Sequence, residues 1–167
     1  MEKAISVLED KVYKAYFNED ARYEVFVLNA TTASKLWEDR ISKDKNSYFR
    51  LLSSHWLFTS KFKIVNNWIH DFGKNEIANL KHELLSEINR NENESIFFII
   101  NKSNILKTTW GYFTNHWIDF LFAGDDCPIL ISENGNEVII FESNGNVKIV
   151  YDIHFLGVAV NESIFIT

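Results

Sequence analysis

The chain has 167 residues, 46% of them hydrophobic and 15% aromatic, which is enough to bury a sizeable core as a single domain over residues 1–167. Its formal net charge of −6 argues against nucleic acid as a ligand, because phosphate binding needs clustered Lys and Arg. No apolar run approaches the ~20 residues that span a membrane, and the N-terminus lacks the pattern of a secretion signal. We therefore expect a cytoplasmic protein with no membrane partner.

The first forty residues predict two helices separated by a short strand. Apolar residues recur at helical spacing from about Glu2 to Phe17, which indicates a helix. Residues 23–28 alternate in the manner of a short strand. Thr31 or Thr32 is then placed to cap a helix that runs to about Ile41.

Residues 48–72 are dense in aromatic side chains and contain no Gly or Pro, so helix and strand both remain possible there. The segment from Leu51 to Trp56 favours a first helix, whereas Phe62–Ile69 fits either a strand or a second helix. Asn75 is next expected to cap a helix to about Arg90. The side chains expected on the buried face of that helix are Ile77, Leu80, Leu84, Leu85 and Ile88.

A central strand and a long helix are predicted in the middle of the chain. Residues 96–100 form a continuous run of β-branched and aromatic side chains, which is typical of a strand covered on both faces. Ser103 can cap a helix that extends to Phe122. Its apolar face would consist of Leu106, Trp110, Phe113, Trp117, Phe120 and Leu121.

Two Asn-Gly pairs, Asn134-Gly135 and Asn144-Gly145, predict two-residue type I′ turns, because both central residues of such a turn need positive φ. These turns would fold three strands into a meander. The sequence therefore predicts an α+β fold, in which an antiparallel sheet of a strand plus a three-stranded Asn-Gly meander is packed by several helices.

Two-residue turns also predict the register of the meander, with Ile131, Val138 and Tyr151 side by side. Ile129, Ile140 and Ile149 would share their face, and we expect the helix from Ser103 to pack there. Residues 163–166 are read as a short terminal strand.

The search for catalytic chemistry is negative. The five histidines are dispersed, without the spacing of a metal site, and no Gly-rich phosphate loop occurs. Cys127, the single cysteine, follows two acids, which raise a thiol's pKa and so oppose a nucleophilic role. We expect no catalytic residue, no cofactor and no metal. The alternative is a small enzyme whose site assembles from scattered groups such as His116, Asp119 and Cys127.

Acidic residues surround the predicted meander, at Asp125, Asp126, Glu133, Glu137 and Glu142. Runs of charge usually form an ordinary solvated face. The functional hypothesis is that these residues form a docking surface for a basic protein partner, whose association complementary charge would accelerate.

The residues Thr108-Thr109-Trp110-Gly111, followed by Trp117-Ile118-Asp119-Phe120 and by Asp125-Asp126, carry a family resemblance. Preceded by a Phe-Phe strand, this pattern resembles a family of uncharacterised small bacterial proteins, some of which look like immunity proteins of polymorphic toxin systems such as contact-dependent growth inhibition. The resemblance covers about a quarter of the chain. It implies a cytoplasmic protein that binds and blocks a cognate toxin domain, with no catalytic residues to carry over.

The resulting hypothesis is an immunity protein that neutralises a toxin domain, expected to be a nuclease, and that is a monomer or a weak homo-oligomer. A further alternative is a structural, oligomeric adaptor that pairs through the exposed edge of the meander, where backbone groups would lack partners.

Overall fold

The structure, a computed structural model, describes residues 3–124, 127–151 and 153. These residues form one eight-stranded antiparallel sheet with helices packed on it, which confirms the predicted α+β class. The strands are β1 (Ile5–Ser6), β2 (Phe26–Val27), β3 (Phe62–Asn67), β4 (Ser95–Asn101), β5 (Asn104–Thr109), β6 (Ile129–Ser132), β7 (Val138–Phe141) and β8 (Asn146–Val150). The helices are α1 (Ala30–Arg40), α2 (Trp56–Thr59), α3 (Trp68–Gly73), α4 (Ala78–Glu87) and α5 (Trp110–Ala123).

The strand order across the sheet is β1-β2-β5-β4-β6-β7-β8-β3. Helices α4 and α5 and the N-terminal turns pack on one face, around Phe98 and Leu130. Helix α1 and residues 48–58 cover the other face, around Ile99 and Ile131. Both faces of the sheet are covered, so successive residues of the central strands are apolar. This agrees with the strand covered on both faces that was predicted at residues 96–100.

The predicted helix from Ser103 to Phe122 is wrong in its first six residues. Residues 104–109 form β5, a hairpin partner of β4, and the helix begins only at Trp110. Thr109 supplies the cap, since its hydroxyl accepts a hydrogen bond from the Tyr112 amide at 3.3 Å. Strand and helix therefore meet without an intervening loop.

The register of β6 and β7 is as predicted, with Ile131 opposite Val138. The type I′ turn is wrong, however, because neither Asn134 nor Gly135 has positive φ. The strand pairing stops at Ile131 and Val138, so the connection is a longer loop.

The second turn shifts the register by one residue, so that Val150, and not Tyr151, lies opposite Val138. The Glu142 amide donates to the Asn146 carbonyl at 2.9 Å, and the Gly145 amide donates to the Glu142 carbonyl at 2.9 Å. These bonds enclose a three-residue loop in which Gly145 alone takes the left-handed conformation, with φ of +90°.

The expected packing of the long helix was also wrong. Helix α5 packs on the face that carries Leu130, Ile139 and Ile149, and not on the face of Ile131 and Ile140. The edge of the meander is not exposed either, because β3 pairs with β8 along it. An adaptor that pairs through a sheet edge would therefore have to use β1 or β3, the strands at the two ends of the sheet.

The predicted N-terminal helix is wrong within the described residues. Ile5 and Ser6 form β1 against β2, and a 3₁₀ turn follows at Tyr13–Ala15. The Asp10 carboxylate accepts hydrogen bonds from the amides of Val12 at 2.7 Å and Tyr13 at 3.0 Å, and this local bonding competes with a continuous helix.

For the remaining elements, the structure differs from the prediction mainly in where each element begins and ends. The strand predicted at residues 23–28 shortens to β2, and Asn29 rather than Thr31 or Thr32 caps α1, accepting from the Thr32 amide at 2.9 Å. Asn75 has a φ of +60° and does not cap α4, which begins at Ala78. Leu85, expected to face inward, is exposed.

In residues 48–72, where the sequence fits both helix and strand, the segment from Phe62 forms strand β3 and then helix α3. The terminal strand predicted at residues 163–166 lies outside the described residues. Among the helices described, none is long and apolar enough to cross a membrane.

Candidate apolar docking site

A small cavity of about 210 Å³ opens beyond the C-terminal end of α5. Its walls come from α3, from the end of α5 and from the connections around β6 and β7. The lining residues are Trp68, Leu121, Gly124, Cys127, Pro128, Phe141, Glu142 and Ser143. Most of these side chains are apolar, so the cavity suits an apolar group with a polar contact at Glu142.

Three exposed apolar side chains, Ile69, Phe72 and Phe122, stand on the two helices, α3 and α5, that supply walls of the cavity, and we call them the apolar rim. The rings of Phe72 and Phe122 meet edge to face, with centroids 5.4 Å apart, although the two residues are 44% and 50% exposed. Phe72 lies one helical turn beyond the wall residue Trp68, and Phe122 directly follows the wall residue Leu121. The apolar rim therefore presents two exposed aromatic rings in mutual contact on the helices that also supply walls of the cavity.

The charge at the cavity wall is already paired. The Lys148 ammonium lies 2.7 Å from the Glu142 carboxylate and 4.4 Å from the centroid of the Phe62 ring. Burial, together with the neighbouring Cys127 and Glu142, raises the pKa of Tyr48 to about 12. Tyr48 thus remains a neutral phenol at physiological pH.

The predicted acidic residues do not gather at one place. Glu133 and Glu137 lie in the loop before β7, whereas Glu142 follows β7 at its other end. A four-residue strand is about 13 Å long, which separates the two groups. Asp125 and Asp126 lie outside the described residues. The acidic docking surface stays a prediction.

Glu137 has a structural partner in Arg90, whose side chain is 3% exposed. The Arg90 guanidinium lies 3.1 Å from Glu137, 3.4 Å from Glu94 and 4.9 Å from the centroid of the Trp110 ring. A buried cation needs such compensation, because its desolvation is costly. The carboxylate of Glu137 therefore serves the fold as well as the surface.

His116 and Asp119 do come together on α5, with a distance of 3.8 Å between Nδ1 and Oδ2. Asp20, which the sequence did not point to, adds a carboxylate 3.6 Å from His116 Nε2, and the ring of Tyr112 stacks on the imidazole at 4.2 Å. Burial raises the pKa of Asp119, while His116 opposes that shift and Asp20 reinforces it.

Cys127 lies in the wall of the cavity, whereas His116 and Asp119 lie on α5. Cys127 is buried, and neither His116 nor Asp119 is among the described residues that line the cavity. Within the described part of the chain, no group of three or more His, Cys, Asp and Glu residues could hold a metal ion.

The apolar rim was missed by sequence reasoning. Phe72 fell in the aromatic stretch whose secondary structure was ambiguous, and Phe122 lay outside the apolar stripe proposed for the long helix. That departure from the stripe was the available signal, because an aromatic residue off the buried face of a helix points to solvent.

The fold and this surface define an antiparallel α+β domain with exposed aromatic side chains on α3 and α5. A family described as a protein of unknown function, DUF2947, matches residues 11–150. The match covers well over half of the chain, and the protein belongs to this family. No curated protein and no solved structure matches it.

Proposed function

We propose that this protein is an immunity protein that binds a cognate bacterial toxin domain, a basic nuclease, and neutralises it in the cytoplasm. The observation that carries the proposal is the apolar rim, in which the exposed rings of Phe72 and Phe122 meet. The resemblance at Thr108–Gly111 and Trp117–Phe120 supplies the class of partner.

The apolar rim has a composition that favours the core of a protein interface. Aromatic residues, Phe among them, are enriched in interface cores relative to the rest of a protein surface. Covering the exposed halves of Phe72 and Phe122 would remove about 200 Å² of apolar surface from water, on the order of 5 kcal/mol before the cost of association. A cavity of about 210 Å³ could accept one apolar side chain from the partner.

Charge supports a basic partner. The chain carries a formal net charge of −6, which would attract a cationic protein and raise its association rate at low salt. Asp125 and Asp126 stand in the sequence between the wall residues Gly124 and Cys127. An exposed apolar contact on an acidic protein would suit an enzyme that itself binds nucleic acid through Lys and Arg.

The test is co-expression with the toxin domain encoded beside the gene of this protein, followed by affinity purification and a count of surviving cells. We expect the two proteins to elute together and cells to survive only when both are present. Failure of the wild-type protein to form a complex or to protect would refute the proposal.

Substitution of the apolar rim locates the contact. The double variant Phe72→Asp/Phe122→Asp should abolish co-elution and protection, because it places charge in the contact. The matched control is Phe49→Asp/Leu52→Asp, at two residues that are 60% and 62% exposed in the segment on the other face of the sheet. If the double variant protected as well as the control, the apolar rim would not be the docking site.

A further inference from the structure

A second and larger cleft lies away from the apolar rim and shares no residue with its cavity. It has a volume of about 760 Å³ and opens between α1, the loop that follows α1 and the tip of the β4–β5 hairpin. Its described walls are Ser34, Asp44, Lys45, Asn46, Arg50, Lys102 and Ser103.

Two hydrogen bonds hold the walls in place. The Lys102 amide donates to the Asn46 carbonyl at 3.0 Å, which fastens the hairpin tip to the loop. The indole N–H of the buried Trp37 donates to the Lys45 carbonyl at 2.5 Å, which fastens the same loop to α1. The cleft is therefore built on regular elements joined by direct contacts.

The charge of this cleft is opposite to that of the protein. Three cations, Lys45, Arg50 and Lys102, face one acid, Asp44, in the lining. The Lys45 ammonium lies 3.6 Å from Asp44, and Lys102 pairs with Glu38 of α1. Within the described residues, the Arg50 guanidinium has no carboxylate within 4.0 Å. An excess of positive charge thus remains, centred on Arg50.

The neutral groups in the lining are the hydroxyls of Ser34 and Ser103 and the amide of Asn46. Hydroxyl and amide donors combined with Arg and Lys form the donor set that recognises phosphate oxygens. No aromatic ring is among the described lining residues, so the cleft has no surface on which a nucleobase could stack.

We propose that this cleft binds a small phosphorylated ligand or free phosphate, with Arg50 as the principal contact and Lys45 and Lys102 beside it. The shared chemistry is a phosphate dianion, which the fork of an Arg guanidinium can engage through two hydrogen bonds. The site is open to water, so we expect a dissociation constant on the order of 1 mM, equivalent to −4.1 kcal/mol.

The test is a titration of the ¹⁵N-labelled full chain with inorganic phosphate at pH 7.5, compared with chloride at equal ionic strength. We expect saturable shifts in the amide signals of Asn46, Lys102 and Ser103. A parallel titration with glycerol 3-phosphate, also a dianion at this pH, separates the two sources. Tighter binding of the ester identifies a phosphorylated metabolite, and equal or weaker binding identifies free phosphate.

Arg50→Gln should raise the dissociation constant for phosphate about tenfold, because the loss of one hydrogen bond between charged groups weakens binding by about this factor. Arg22→Gln is the matched control, because it makes the same charge change at a guanidinium already paired with Glu19. Shifts that do not saturate, that chloride reproduces, or that respond equally to the two substitutions would overturn the proposal. Arg50 is exposed, so the variant keeps the fold.

Discussion

The buried guanidinium of Arg90 gives the sharpest stability prediction, because three groups compensate one desolvated charge. Arg90→Ala removes its pairs with Glu94 and Glu137 and its contact with Trp110. Breaking a buried pair costs about 3–5 kcal/mol. The two carboxylates are 23% and 35% exposed and can partly rehydrate, so we expect a loss of about 3 kcal/mol.

The loss in free energy of unfolding should depend on which residue replaces Arg90. One guanidinium nitrogen of Arg90, Nη1, is buried without a hydrogen-bond partner among the described residues. The native cation is therefore imperfectly satisfied, and an apolar side chain of similar length gives up less than Ala does. Arg90→Met also leaves Glu94 and Glu137 without their cation, but its side chain refills the volume that Ala would empty, so it should cost about 1 kcal/mol less than Arg90→Ala.

The assay is urea unfolding followed by the fluorescence of the five tryptophans. With a slope of about 2 kcal/mol/M, the Ala variant should unfold at a urea concentration lower by about 1.5 M. Glu137→Gln should cost about 1.5 kcal/mol, whereas the exposed Glu133→Gln should stay within about 0.5 kcal/mol of the wild type. Equal midpoints for the two Glu variants, or an Ala variant within 1 kcal/mol of the wild type, would refute this reasoning.

Two further predictions concern a turn and a pH dependence. Gly145→Ala should lower the free energy of unfolding in urea by at least about 2 kcal/mol, because φ is +90° and the added Cβ would lie 2.6 Å from Asn67 Oδ1. The control is Gly73→Ala, which should be near neutral because no atom lies within 4 Å of its added Cβ. The raised pKa of Asp119 means that folding favours the protonated form of its carboxyl group. The contribution of Asp119 to the stability of the fold is therefore full below the ordinary pKa of 3.8, and it is lost as the pH rises through the pKa in the folded protein. Asp119→Asn should therefore raise the melting temperature at pH 7, and a gain that persisted unchanged at pH 3 would contradict that assignment.

The central strand could be predicted because the residues that identify it all lie within the strand itself. The run at residues 96–100 is long, apolar and β-branched, and it forms β4 as expected. Strand β5 was missed because Leu106 and Trp110 also match a helical period, so the helix was extended backward over a strand. Thr108 and Thr109, both β-branched, carried the contrary signal.

The turn at Asn144-Gly145 shows where local reasoning ends. An Asn-Gly pair serves a two-residue loop or a three-residue loop, and the sequence around it does not distinguish them. Here Gly145 packs against Asn67 and Ile69 from the distant β3–α3 segment. Tertiary contact decided the register, and a shift of one residue changed the opposing partners along β8.

The contact between Phe72 and Phe122 could not be predicted for the same reason. Phe72 and Phe122 are fifty residues apart in the sequence, and only the packing of α3 beside α5 brings their rings together. In contrast, the acids around the meander were visible in sequence, but Glu137 proved to be the partner of a buried Arg90.

The order of strands in the sheet bears on how the chain reaches its native state. The five strands in the middle, β5-β4-β6-β7-β8, come from one continuous stretch of the sequence, whereas the first half supplies β1 and β2 at one border and β3 at the other. Contacts between neighbours in sequence close at low entropic cost. The second half of the chain can thus form its hairpins early and serve as a template, onto which the first half is added later from both sides.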